Sequence, residues 1–125
     1  IFTPPHYCDF CYPQDSTHYR PVGRHVPRET VYSFVPMVEG IAEADAHHVL
    51  GVQGNLWTEW VMEPWHAEMM LYPRVFAIAE TGWTPAEKKN WPDFERRSSA
   101  FSTVARNWGY NVFVKPMTNV GSPTP

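Results

Sequence analysis

The run Gly51-Val52-Gln53-Gly54-Asn55-Leu56-Trp57-Thr58-Glu59 sets an indole ring and a carboxylate two residues apart, just after a short apolar stretch. A Trp face packs against the C–H side of a pyranose, and a carboxylate accepts hydrogen bonds from its hydroxyls, so the pair is suited to holding a sugar. The same two residue types also serve a core, with the Trp as anchor and the Glu salt-bridged to a neighbour. Tyr7-Cys8-Asp9 repeats the arrangement with a phenol and a carboxylate. Ligands of parallel α/β folds bind at the C-terminal ends of the strands. If the two segments end neighbouring strands, Tyr7, Asp9, Trp57 and Glu59 converge on one cleft.

The elements that must position them follow from periodicity. Residues 1–4 read as the end of a strand, closed by Pro4-Pro5 because neither proline supplies an N–H. Residues 10–27, rich in Pro, His, Tyr, Asp and Arg, read as a long loop, and ordered loops of that length often carry function. A short helical or turn segment is expected from Pro27 to about Glu43. Residues 48–56 give the clearest strand, apolar on both faces as in a covered parallel sheet. The spacing of Trp65, Met69, Tyr72, Phe76 and Ala79 predicts one helix over residues 64–80, kinked at Pro73 and ended by Gly82. A second helix is predicted over 92–107 with Phe94, Phe101, Val104 and Ala105 inward and Gly109 as its stop. Residues 112–114 suggest a last short strand, and the end of the chain a frayed tail over 116–125. This βαβα order has two open sheet edges and cannot close a barrel alone, so it should expose apolar faces.

The specific runs are Gly51 to Glu59, Tyr72-Pro73-Arg74-Val75-Phe76-Ala77-Ile78-Ala79-Glu80 and Trp83-Thr84-Pro85. Together with Tyr7-Cys8-Asp9 they resemble the end of the catalytic domain of glycoside hydrolase family 20, the β-N-acetylhexosaminidases, over residues 1 to about 110. The resemblance implies an α/β fold: the last two strands and following helices of a (β/α)8 TIM barrel, covering residues 1–115 as a partial barrel. It implies retaining, substrate-assisted, exo-acting hydrolysis, in which the substrate's acetamido oxygen attacks the anomeric carbon. By that likeness Tyr7 donates to the acetamido oxygen, Asp9 and Glu59 hold outer hydroxyls, and Trp57 forms an apolar wall. The expected partners are glycans ending in N-acetylglucosamine or N-acetylgalactosamine, and either the remaining barrel segments or a second copy of the chain. No cofactor and no metal is implied. The family's catalytic Asp-Glu pair lies on an earlier strand, and no Asp-Glu dipeptide occurs in these 125 residues. The chain by itself is therefore expected to be inactive. A non-catalytic carbohydrate-binding or structural remnant is the alternative.

Bulk properties agree with a globular piece. Hydrophobic residues make up 43%, charged ones 18% and aromatics 15%, which argues against disorder. A formal charge of −3 without a basic block argues against nucleic-acid binding. No apolar run is long enough to span a membrane. The first residues, Ile1-Phe2-Thr3-Pro4-Pro5, read as a chain entered in mid-strand rather than as a signal peptide. The lack of an N-glycosylation acceptor pattern leans toward bacterial export, periplasmic or secreted. Cys8 and Cys11 form a C-x-x-C without a second pair or a preceding βαβ unit, and read as two small semi-buried residues. His47 and His48 face opposite ways on a strand, while His18, His25 and His66 lack ligand spacing, so the histidines are expected to be solvated. Arg74 and Glu80 read as structural, each with a tertiary partner. Glu87, Lys88 and Lys89 read as a solvated turn, and Glu95, Arg96 and Arg97 as the exposed face of the last helix.

Overall fold

A computed structural model of the chain describes residues 1–18, 23–37 and 39–115. The tail expected over 116–125 lies outside the described residues. The elements are α1 (Pro5–Cys8), α2 (Arg28–Ser33), a 3-10 turn Glu43–His48, α3 (Pro64–Leu71), α4 (Arg74–Trp83), a 3-10 turn Ala86–Lys88 and α5 (Trp91–Asn107).

The expected strands are the main correction. Among the described residues there is no strand at 1–4, 48–56 or 112–114. The first two segments meet instead through two isolated parallel bridges, Phe2 with Val52 and Asp9 with Asn55. Their bonds have parallel geometry: Phe2 N–H donates to Gly51 C=O at 2.8 Å, Asn55 N–H to Cys8 C=O at 2.7 Å, and Phe10 N–H to Asn55 C=O at 2.7 Å. Between the bridges one segment advances seven positions and the other three. The surplus coils into the four-residue α1. Prolines at positions 4 and 5 explain why, since they cannot feed a ladder but suit the first turn of a helix. Residues 43–48 wind into a 3-10 turn, so the second segment starts later than its apolar pattern suggests. Leu50 is 82% exposed, not covered as a residue of a buried central strand would be, since no other described element packs over that face.

The helix expected over 64–80 is two helices. α3 ends at Leu71 with Tyr72 extended, the Tyr72–Pro73 peptide is cis, and α4 starts at Arg74. The break also shifts the buried face by about one residue. It runs His66, Met70, Arg74, Ala77, Thr81 rather than Trp65, Met69, Tyr72, Phe76, Ala79. α4 continues past Gly82 to Trp83. α5 keeps its expected bounds to within one residue. Asn90 caps it by accepting Asp93 N–H at 3.0 Å, and Gly109, at φ 92, ends it in a conformation open to glycine. Its inner face is Phe94, Ser98, Ser102 and Ala105, while Phe101 is 60% exposed. The two serines are held by hydrogen bonds: Ser98 Oγ accepts from Arg28 at 2.8 Å, and Ser102 Oγ donates to Ser98 C=O at 2.8 Å.

The core is Phe10, Val26, Val31, Tyr32, Ala77 and Phe94. Glu80 is paired with Arg97, as a tertiary partner was expected for it, at 2.6 and 3.1 Å. Lys89, expected in a solvated turn, turns inward. Its Nζ donates to the carbonyls of Tyr32 and Phe34, the latter at 2.9 Å, and to Thr81 Oγ1 at 3.3 Å. It thus closes the C-terminal end of α2, whose last carbonyls have no helical partner. Lys89→Met is expected to lower stability by about 1–2 kcal/mol, read as a shift in the urea midpoint. An unchanged midpoint would mean that water replaces the ammonium at no cost.

Candidate functional site

The bridge between Asp9 and Asn55 brings the two candidate segments side by side. Cys11 then ties them together. Its N–H donates to Asp9 Oδ1 at 3.0 Å, its Sγ accepts Trp57 N–H at 3.0 Å, and its S–H reaches Trp57 C=O at 3.5 Å. Burial pushes the Cys11 thiol up to about 11, and the Asp9 and Glu59 carboxylates act in the same direction, against the Trp57 bond. The thiol is therefore protonated at neutral pH and serves as both donor and acceptor rather than as a nucleophile. Cys8 is likewise raised to about 11, mainly by burial, and both cysteines are free. The expectation of two semi-buried residues holds for Cys11, whereas Cys8 is fully buried. Cys11 joins the ends of the two bridged segments, for which the only signal in the sequence is its place two residues after Asp9.

Asp9 and Trp57 are thus linked through Cys11, and Glu59 lies close enough to Cys11 for its charge to be felt there. Trp57 is 66% exposed and Glu59 is exposed. The wall they form presents an exposed indole and an exposed carboxylate beside the half-buried Asp9. Tyr7 sits on α1 rather than at a strand end. Its ring stacks on Phe34 with centroids 5.1 Å apart and planes 18° from parallel. Phe34 in turn packs on Phe2 and carries the carbonyl held by Lys89.

Beneath this wall Arg74 is fully buried. Its guanidinium donates to Phe10 C=O at 2.8 Å, Tyr12 C=O at 2.7 Å, Val26 C=O at 3.1 Å and Met70 C=O at 2.9 Å. Burial depresses its pKa to about 9, with Asp9 opposing the shift. Gly54 lies against the Phe10 ring, where an added Cβ would come within 2.7 Å of ring carbons. That close approach accounts for the glycine.

Where it is described, the long loop over residues 10–27 packs against α3 and the last described residues, and it also lines a cleft. Gln14 is buried and its Nε2 donates to Met69 C=O at 2.8 Å and Tyr72 C=O at 2.9 Å, closing the end of α3. His18, expected to be solvated, is 4% exposed, with its ring 4.6 Å from that of Phe113. His66 is buried as well. A cleft of about 620 Å³ between this loop and α5, lined by His25, Arg28, Glu95, Ser102 and Phe113 among others, contains none of the four candidate residues. Among the described residues no group of three or more His, Cys, Asp or Glu side chains could hold a metal ion, and no helix is long and apolar enough to cross a membrane.

Comparison with known proteins gives a consistent picture. A β-hexosaminidase of Porphyromonas gingivalis is 38% identical over 76 residues, 61% of this chain and 10% of that protein. A β-N-acetylhexosaminidase of Cellulomonas fimi is 26% identical over 101 residues, 79% of this chain and 20% of that protein. The chain therefore spans between a tenth and a fifth of these curated relatives. The crystal structure of a family 20 exo-β-N-acetylglucosaminidase from Vibrio harveyi, in complex with N-acetylglucosamine, superposes with a TM-score of 0.79 at 26% identity, over 93% of this chain and 19% of that one. A family 20 β-N-acetylhexosaminidase from Streptomyces coelicolor gives a TM-score of 0.81 over 93% of this chain and 24% of that one. At 24% identity it speaks for the fold alone, which is consistent with a partial barrel. The model of the glycosyl hydrolase family 20 catalytic domain accounts for residues 1–86, and so the chain belongs to that family.

Proposed function

We propose that residues 1–115 are the last βα units of a family 20 (β/α)8 barrel, and that they supply one wall of its pocket for a terminal N-acetylhexosamine. The observation that carries this reading is the Asp9–Cys11–Trp57 link, which sets a carboxylate and an exposed indole at adjacent segment ends. Trp57 lines the pocket, while Asp9 and Glu59 accept from the sugar's outer hydroxyls. Tyr7 donates to the acetamido oxygen as that oxygen attacks the anomeric carbon. The bond to the leaving oxygen breaks, an acid outside these residues protonates it, and water later opens the oxazolinium intermediate with retention. Tyr7 lowers the barrier by placing the oxygen and by stabilising charge that grows in the transition state. Binding at the remote hydroxyls can be used at the reacting carbon, so their loss reduces turnover of an assembled enzyme as well as affinity.

The chain holds no Asp-Glu dipeptide, and with a chromogenic N-acetylglucosaminide it is expected to give no turnover alone. Tryptophan fluorescence titrated with N-acetylglucosamine is expected to report binding, and Trp57→Ala to weaken it by about tenfold, the loss of one stacked ring. Turnover by the purified chain, or affinity indifferent to Trp57, would defeat the proposal. The exposed Leu50, Trp60 and Met62 support a second part of the reading, that the remaining barrel segments or a second copy cover this edge. Sedimentation should then show association, and a monodisperse monomer would count against it.

A further inference from the structure

Buried cations are usually neutralised by a carboxylate. Arg74 is not: among the described residues its guanidinium is satisfied by main-chain carbonyls from three separate stretches, Phe10 and Tyr12, Val26, and Met70. Two of these flank Cys11, the residue whose N–H holds Asp9 Oδ1 and whose thiol holds the Trp57 main chain. The guanidinium also lies over the Phe10 ring, 4.7 Å from its centroid, and that ring rests on Gly54. A chain of contacts therefore runs from α4 through Phe10 to both segment ends. Asp9 is not consumed in this arrangement, since the carbonyls and not its carboxylate bond the guanidinium. A planar fork with five donors can pin several carbonyls at once, which an ammonium on a flexible stem cannot do with the same geometry.

We propose that Arg74 is a positioning residue: by pinning the carbonyls on either side of Cys11 it sets the placement of the Asp9 carboxylate and, through Cys11, of Trp57. The sugar-binding consequence rests on the function proposed above, whereas the placement itself does not. Two readouts separate them, the alkylation rate of Cys11 by iodoacetamide and the affinity for N-acetylglucosamine. The variants are Arg74→Lys, which keeps the charge but not the fork, and Gly54→Ala, which displaces the Phe10 ring from the other side. Ala105→Gly, remote in α5, is the control for loss of stability alone.

Arg74→Lys and Gly54→Ala are each expected to raise the Cys11 alkylation rate and to weaken sugar binding, both by about tenfold, since displacements near 1 Å have effects of that order or more. The control should change neither beyond about twofold, as its cost lies in the helix and not at the site. Should Arg74→Lys fail to fold, Gly54→Ala carries the comparison. Faster Cys11 alkylation with unchanged sugar affinity would sustain the positioning role and remove Asp9 from the sugar site. Alkylation rates in the site variants that match the control would overturn the proposal.

Discussion

Arg74→Met is expected to lower stability by about 4 kcal/mol, enough to leave the chain largely unfolded at room temperature. The side chain it replaces is fully buried and bonds four carbonyls. Met fills most of the volume and removes the desolvation cost of the charge, which works in the variant's favour. Against that, the carbonyls of Phe10, Tyr12 and Val26 lose a donor in a place water does not reach. Each such orphan costs about 1–3 kcal/mol, so three of them outweigh the gain from deleting the charge. Urea unfolding followed by far-ultraviolet circular dichroism measures the difference. A midpoint within error of the parent would show that water enters behind Phe10 and that the guanidinium is dispensable.

Acid should destabilise the chain through His18. Burial lowers its pKa to about 4, and the neighbouring Arg74 charge acts in the same direction, with Asp15 opposing. Its ordinary value is 6.5, so between about 6.5 and 4 the unfolded chain takes up a proton that the folded chain refuses. Stability is therefore fully present above the unfolded pKa and is lost as pH falls through this window. The full shift is equivalent to about 3–4 kcal/mol. Comparing pH 7 with pH 4.5, His18→Leu should lose less stability on acidification than the parent does. Parallel losses in the two proteins would mean that His18 titrates normally and that carboxylates account for the acid lability.

The legible and illegible parts of this chain differ in kind. Trp57-Thr58-Glu59 and the run Tyr72 to Glu80 identify the family because side-chain types at fixed spacing are directly visible in a sequence. The bounds of α5 were equally accessible, since Asn90, Pro92 and Gly109 are local signals that act within one turn. The strands were not. Their apolar pattern reads as a covered sheet, yet pairing depends on which neighbours are present, and two prolines redirect the first segment into α1. The buried faces of α3 and α4 were misjudged for a related reason. Pattern favours apolar side chains, and an arginine and a histidine take inward positions only when distant groups accept them. Lys89 and His18 escaped notice in the same way.

The sequence by itself determined the family, the positions of the two carboxylates and the indole proposed to face a sugar, and the absence of an Asp-Glu dipeptide from these residues. Only the tertiary structure decided that Asp9 and Trp57 are joined through Cys11, and that Arg74 lies beneath them. The physical reason is that these contacts end on main-chain carbonyls and amides, which every residue carries alike. Cys11 and Trp57 are 46 residues apart, and Arg74 and Phe10 64. A pattern of side chains marks what a site is made of, but the hydrogen bonds that place it are written in backbone, and only folding brings those groups together.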